Sequence, residues 1–283
     1  APMYVAGDSA DVWAHPGLFK LDGDLKPTVV AGVPPDYFAE TGQLWGNPIY
    51  DWDRHAADGY AWWISRLRGL LGLADLVRID HFRAFVDYWE VPAGSRTAAS
   101  GQWVPVPASE LFRAVMREAP QGALVAEDLG DIPPDVRDAL DGLGLPGMRV
   151  LLFAFGSDAG SEHHCPHNHS ERDFVYTGTH DNNTVRGWFE REARKNEKER
   201  LYAYLGRRVP AGRVHEAMIR MAMMSVASTA IIPMQDVLGL GEEARMNRPA
   251  GRGGWWRWRM PPGQPDRRLE RWLLGLTDAY GRL

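Results

Sequence analysis

Short apolar runs of strand length alternate along this chain with longer stretches whose apolar residues recur at helical spacing. Residues 3–6, 76–80, 124–127, 148–153, 174–177 and 229–232 read as six strands. Helical patterns fill the intervals. At 54–73 the residues Trp62, Trp63, Ile64, Leu67, Leu70 and Leu71 gather on one broad face. Ser109 predicts an N-cap for a helix over 109–118, and the Pro133-Pro134 pair opens another. Further helices are expected at 185–194, 197–206, 212–224 and 269–282. Residues 17–51 read as a long loop punctuated by glycine and proline.

Strands separated by helices predict βα units and a parallel sheet. Such a sheet closes as a doubly wound fold or as a (β/α)8 TIM barrel. No Gly-x-Gly-x-x-Gly turn follows any predicted strand, which removes the main support for a dinucleotide fold. Charged residues at the C-terminal ends of several strands are how a barrel active site is built, so the α/β barrel is favoured, with two strands unaccounted for.

Composition narrows the function class. At 45% hydrophobic and 24% charged residues the 283-residue chain has the usual globular mix, with ample apolar surface to offset its ordering entropy. A net charge of −5 disfavours a nucleic-acid surface built on bulk positive charge. The single cysteine, Cys165, excludes an internal disulfide and fits a reducing compartment such as the cytoplasm. No apolar run approaches the length of a membrane span, roughly 18 residues. The chain opens at Ala1 directly in a strand-like run, which reads as a fragment of a longer polypeptide.

Asp80, Glu127 and Asp181 each sit where a strand gives way to a loop. A lone strand-end carboxylate often does no more than cap the helix that follows. Three of them in distinctive motifs suit glycoside chemistry, which needs one protonated and one ionised carboxyl group flanking an oxocarbenium-like transition state. Arg78 and Asp80 share one face of their strand, which puts a guanidinium beside the carboxylate, a setting that suits a nucleophile.

Three segments occur in order: Val77-Arg78-Ile79-Asp80-His81-Phe82-Arg83, Ala126-Glu127-Asp128-Leu129-Gly130 and Thr177-Gly178-Thr179-His180-Asp181-Asn182. They resemble the strand-end motifs of the α-amylase clan. The loop Gly32-Val33-Pro34-Pro35-Asp36-Tyr37-Phe38-Ala39-Glu40-Thr41-Gly42-Gln43-Leu44-Trp45-Gly46-Asn47-Pro48 looks like the signature loop of the 4-α-glucanotransferases (amylomaltases, or disproportionating enzymes) of glycoside hydrolase family 77. Asp8–Trp13, Pro166-His167-Asn168 and Ala244-Arg245-Met246-Asn247 are similar to that family too.

The resemblance implies a barrel whose strands 3 to 8 lie in this chain, residues 1–283 being the C-terminal portion of the catalytic barrel and 17–51 its cleft-covering loop. It implies transfer of 1,4-α-glucan segments to the 4-hydroxyl of an acceptor by a retaining double displacement. Asp80 would be the nucleophile, Glu127 the general acid/base and Asp181 the stabiliser of the reacting ring. Retention places the Asp80 and Glu127 carboxyl groups about 5–5.5 Å apart. Arg78 and His180 would attend the same ring, and Asp36, Tyr37, Phe38, Trp45 and Asn247 would bind substrate. Tyr37, Phe38 and Trp45 offer flat faces for glucose rings, and an aromatic loop over the cleft excludes the water that would otherwise hydrolyse the intermediate. The implied partners are maltooligosaccharides and other α-1,4-glucans, with no cofactor, metal, nucleic acid or membrane. The N-terminal segment of the family, carrying the first two strands, would be needed to complete the barrel, so this polypeptide alone is expected to be inactive or aggregated. A hydrolase of the same clan and a non-catalytic glucan-binding module are the competing readings.

Other features weigh less. The tract His163-His164-Cys165-Pro166-His167-Asn168-His169 matches no zinc spacing. The basic-aromatic run 252–259 reads as a packed loop near the cleft, although Gly253-Gly254-Trp255-Trp256 departs from the family's Gly-Asn-Trp. Met218, Met221, Met223 and Met224 read as core. Asp158 follows Phe155-Gly156-Ser157 where members often carry acidic residues directly, which leaves its part in sugar contact open.

Overall fold

The parallel strands form where the apolar runs predict them, but each is only three residues long. The computed structural model describes residues 1–35, 40–120, 122–130, 132–157, 160–249 and 253–282. The chain divides into two units, Ala1–Gly147 and Met148–Leu283.

The first unit holds β1 (Val29–Val33), β2 (Gln43–Pro48), β3 (Val77–Ile79), β4 (Asp87–Pro92), β5 (Gln102–Pro105) and β6 (Leu124–Ala126). β3 and β6 pair in parallel, with Val77, Arg78 and Ile79 opposite Leu124, Val125 and Ala126. The ladder runs on past both ends, since Glu127 N–H donates to Ile79 O (2.8 Å) and Phe82 N–H to Glu127 O (3.0 Å). Asp80 and Glu127 thus leave neighbouring strands at the same level.

Residues 17–51 are not one long loop, which corrects the sequence reading. They carry β1 and β2, which join β4 and β5 in an antiparallel sheet of order β2-β1-β4-β5. Cross-strand pairing makes these strands: Gly32 lies opposite Trp89 and Val30 opposite Val91. Glycine at 32 is dictated by close approach, because a Cβ there would come within 2.7 Å of the Gln43 carbonyl oxygen. Residues 3–6 are the second correction. They form no strand. Pro2 lacks a ladder N–H, and the Met3 and Val5 carbonyls accept side-chain bonds from Tyr50 Oη (2.7 Å) and Asn47 Nδ2 (3.0 Å). Five of the six predicted parallel strands are therefore present among the described residues.

The helices of this unit are α1 (Ala10–Ala14), α2 (Trp52–Ala57), α3 (Ala61–Leu71), α4 (Ala108–Met116) and α5 (Pro134–Leu143). The single helix expected over 54–73 breaks into α2 and α3 because Gly59 and Tyr60 both take left-handed backbone, at φ 68° and 62°. The break folds Trp52 flat against Trp63 (6.2 Å, 10°), in a core with Tyr50, Phe85 and Phe112. Helix α4 starts one residue ahead of Ser109, with Pro107 at its N-cap.

The second unit holds β7 (Met148–Val150), β8 (Phe174–Tyr176) and β9 (Thr229–Ile231), parallel in the order β7-β8-β9. Its helices are α6 (Val185–Gly187), α7 (Lys195–Leu205), α8 (Val214–Met223), α9 (Met234–Val237) and α10 (Arg267–Ala279). Met218, Met221 and Met223 are buried as expected, while Met224, just past α8, is 57% exposed. The Arg282 guanidinium closes the C-terminal end by donating to the carbonyls of Met223, Ser225 and Ala227. No helix among the described residues is long and apolar enough to cross a membrane.

Candidate active site

Each unit carries its own group of candidate residues at the ends of its parallel strands. In the first, Arg78 stands in the middle of β3 and Asp80 just past its end, two residues on and therefore on the same face. Arg78 Nη1 meets Asp80 Oδ1 at 2.5 Å, with the Asp80 side chain 44% exposed. The carboxylate is paired yet accessible.

His81 turns the chain sharply out of β3 with a left-handed φ of 53°. That turn aims its backbone N–H at Glu127 Oε2 (2.7 Å), while Leu129 N–H reaches Glu127 Oε1 (3.0 Å). Both oxygens of the half-buried Glu127 are thus held by main-chain donors. Burial pushes the Glu127 carboxyl up to about 7, with the Asp80 charge adding to it, against the opposing pull of Arg78 and the two N–H groups. Burial also pushes the His81 imidazole down to about 4, so the ring is neutral near pH 7. Against that ring packs Trp45 from β2 (4.9 Å, 70°), 39% exposed, its Nε1 donating to Gln43 Oε1 (3.3 Å). Arg78, Asp80, Glu127 and Trp45 are therefore brought together around His81. Asp36, Tyr37 and Phe38 lie outside the described residues, as does Asp158.

In the second unit β8 runs into Thr177-Gly178-Thr179-His180-Asp181-Asn182. Asn182 Oδ1 shapes this turn by accepting from Thr179 N–H (2.8 Å) and Thr179 Oγ1 (3.0 Å). Asp181 Oδ1 accepts from Asn247 Nδ2 at 2.7 Å, and Oδ2 lies 3.3 Å from His180 Nε2. The side chains of His180 and Asp181 are 43% and 41% exposed, open to a ligand. Arg245 binds the Asp181 carbonyl through Nη2 (3.0 Å), Glu192 Oε1 through Nη1 (2.8 Å) and the Asn247 carbonyl through Nε (2.8 Å). Trp256 packs on His180 at 5.4 Å.

Beneath the turn lies Asp236, only 1% exposed. It accepts from Thr177 Oγ1 (2.6 Å) and from Val185 N–H (2.8 Å), tying together the two ends of the segment that bears His180 and Asp181. Burial pushes its carboxyl up to about 6.

His81, Arg245, Asp236 and Trp256 are the residues that sequence reasoning did not assign to the site. Arg245 and His81 stand inside the family-like motifs, so proximity in sequence to Asn247 and Asp80 was a usable signal. For Asp236 there was none. Among the described residues no group of three or more His, Cys, Asp or Glu is arranged to hold a metal ion. In the histidine tract, His164 Nδ1 accepts from Val150 N–H (3.2 Å), and the buried His169 lies 2.7 Å from Ser225 Oγ, while His163 and His167 are exposed.

The comparisons with known proteins agree with these motifs. A family profile described as 4-alpha-glucanotransferase, glycoside hydrolase family 77, matches residues 1–265. The 4-alpha-glucanotransferase of Aquifex aeolicus is 49% identical over 281 residues, covering 99% of this chain and 57% of its own length. That of Synechocystis is 49% identical over 288 residues, covering 99% of this chain and 56% of its own length. Among solved structures, the amylomaltase from Streptococcus agalactiae in complex with acarbose matches with a TM-score of 0.92 at 40% identity, over 99% of this chain and 56% of that one. The chain thus spans a little over half the length of these relatives. It belongs to the 4-alpha-glucanotransferase family, glycoside hydrolase family 77.

Proposed function

We propose that residues 1–283 are the C-terminal portion of the catalytic barrel of a 4-α-glucanotransferase, acting on maltooligosaccharides and other α-1,4-glucans. The observation that carries this reading is the Glu127 carboxyl, clasped by two backbone N–H groups and raised to about 7 beside the Arg78-paired Asp80. A carboxyl near neutrality serves equally as acid and as base, which a transfer in two steps requires. The five parallel strands correspond to five of the eight strands of the family's (β/α)8 barrel, and the first two strands come from the N-terminal portion of the relatives' length. Without that portion the sheet edges stay open, so the account puts activity in the full-length protein.

In the first step an Asp80 carboxylate oxygen attacks the anomeric carbon while Glu127 gives its proton to the departing glycosidic oxygen. This leaves a β-glucosyl ester on Asp80 and an ionised Glu127. In the second step the 4-hydroxyl of an acceptor glucan attacks that carbon, its proton passes to Glu127 and Asp80 departs as carboxylate. Arg78 steadies the Asp80 charge in both. Asp181, with His180 and Asn247, holds hydroxyls of the reacting ring, and Trp45 offers a stacking face. Asp36, Tyr37 and Phe38 join the substrate contacts by resemblance to the family loop. No step calls for a metal or cofactor. The free thiol of Cys165 is in keeping with a cytoplasmic setting.

Incubating the full-length protein with maltotriose tests this, with Glu127→Gln in parallel. The reading expects glucose together with a ladder of longer glucans, abolished in the variant. Reducing ends rising without a ladder would reassign the site to hydrolysis.

A further inference from the structure

Trp256 has no part in the chemistry above, yet the chain is bent to present it. Gly253, Gly254 and Trp256 all take left-handed backbone, at φ 76°, 84° and 65°. For a tryptophan that conformation is strained and persists only where the surroundings enforce it. The two glycines answer to conformation and not to space, since nothing lies within 4 Å of a Cβ built at either. The turn is pinned on both sides. Trp256 N–H donates to Met246 O (2.7 Å), and Arg259 Nη1 donates to the carbonyls of Trp256 (2.9 Å) and Trp258 (2.8 Å). Met246 lies between Arg245 and Asn247, the two residues that bind Asp181, so one strap secures both Asp181 and Trp256.

This strap holds the Trp256 ring 5.4 Å from His180 at an interplanar angle of 37°, and leaves the residue 53% exposed. Trp188 in the same unit, which serves the core, is 7% exposed. A strained, anchored and outward-facing indole beside a cluster of hydroxyl-binding groups is arranged for a ligand with one apolar face and a polar rim. A pyranose ring has that form: its C–H groups make a face that packs on an aromatic ring, and its hydroxyls point outward.

We propose that Trp256 is a stacking platform of the Asp181 site, on which a glucosyl unit neighbouring the ring held by Asp181 lays its C–H face. The inference rests on the glucan-transfer reading and adds to it a residue that binds without taking part in bond breaking. Such a contact is made equally in the ground and transition states, so it lowers KM and leaves kcat alone.

The test compares Trp256→Ala and Trp256→Phe with the unaltered full-length protein, measuring kcat and KM on maltotriose and on maltoheptaose, with melting temperatures alongside. The expected result is a rise in KM of about tenfold for Trp256→Ala, larger on maltoheptaose, with kcat within about twofold and melting unchanged. Trp256→Phe, which keeps a flat ring, restores most of the loss. An unchanged KM in Trp256→Ala overturns the platform while leaving glucan transfer intact. A fall in kcat at constant KM that Phe does not rescue also overturns it, since it marks Trp256 as mere support for His180. If the unaltered protein neither transforms nor binds maltoheptaose, the glucan-transfer reading falls and the platform with it.

Discussion

Glu127 at the end of β6 and Asp236 beneath the 178–184 turn are both carboxylates that burial pushes upward, to about 7 and about 6. Both accept two hydrogen bonds. They differ in access and in what their partners do. Asp236 is sealed at 1% exposure, and its two bonds join the ends of the turn that bears His180 and Asp181, so any change in its proton disturbs the framework. Glu127 is half-buried, at the mouth of a strand pair, and its two N–H partners belong to a backbone already fixed by β3 and β6. It gains or loses a proton without unpicking the fold. A raised pKa alone therefore does not mark a catalytic acid; access and the rigidity of the partners decide.

That comparison can be broken at several points. The largest effect is expected from Glu127→Gln, with kcat for maltotriose transfer lowered about 10²–10⁴-fold and the melting temperature changed by no more than a few degrees, because the amide removes the acidic proton and one of the two N–H acceptors but also the buried charge. A marked loss of melting temperature would show Glu127 to be as structural as Asp236. The converse change, Asp236→Ala, strands the Thr177 hydroxyl and the Val185 N–H in a buried site and is expected to cost about 2–4 kcal/mol, read from urea unfolding. If that variant unfolded like the parent, Asp236 would not be holding the turn.

A third, milder effect follows from pH. Both carboxyls bind protons more tightly in the folded chain than at their ordinary values of 3.8 for Asp236 and 4.5 for Glu127. Their contribution to stability is then complete below those values and is lost as pH rises through about 6 and about 7. Melting curves between pH 4 and 8 are expected to show this decline, with the component near pH 6 removed in Asp236→Asn; an identical slope in the variant would contradict it. The smallest effect belongs to the surface pair Arg68–Glu118, whose side chains are 65% and 50% exposed. Arg68→Ala is expected to move the melting temperature by no more than about 2 °C.

Where local pattern and long-range geometry coincide, the fold was legible. The runs at 76–80 and 124–127 carry the buried Val77, Ile79, Leu124, Val125 and Ala126, and their terminal carboxylates stand where the chain leaves the sheet. The antiparallel sheet was hidden because β1 is stabilised by β4, about 60 residues away, as in Val29 opposite Pro92, and β2 joins the sheet only through β1, while glycines and prolines inside 29–48 imitate loop punctuation. Residues 3–6 had a strand's composition but lost their ladder to the side chains of Tyr50 and Asn47. The site divides in the same way. Asp80, Glu127 and Asp181 announce themselves by position. The clasp on Glu127 consists of backbone N–H groups, whose placement depends on the left-handed turn at His81, and no side-chain pattern encodes that turn. Asp236 meets Thr177 across 59 residues with nothing local to mark the pairing.

The central claim is that Glu127 is a carboxyl poised near neutrality, and carbon-13 NMR of the glutamate carboxyl groups tests it most directly. With Glu127→Gln to assign the resonance, the account predicts one glutamate titrating close to pH 7 that vanishes in the variant. If the signal lost in Glu127→Gln titrates below pH 5 with the ordinary glutamates, Glu127 is not the acid/base of this site.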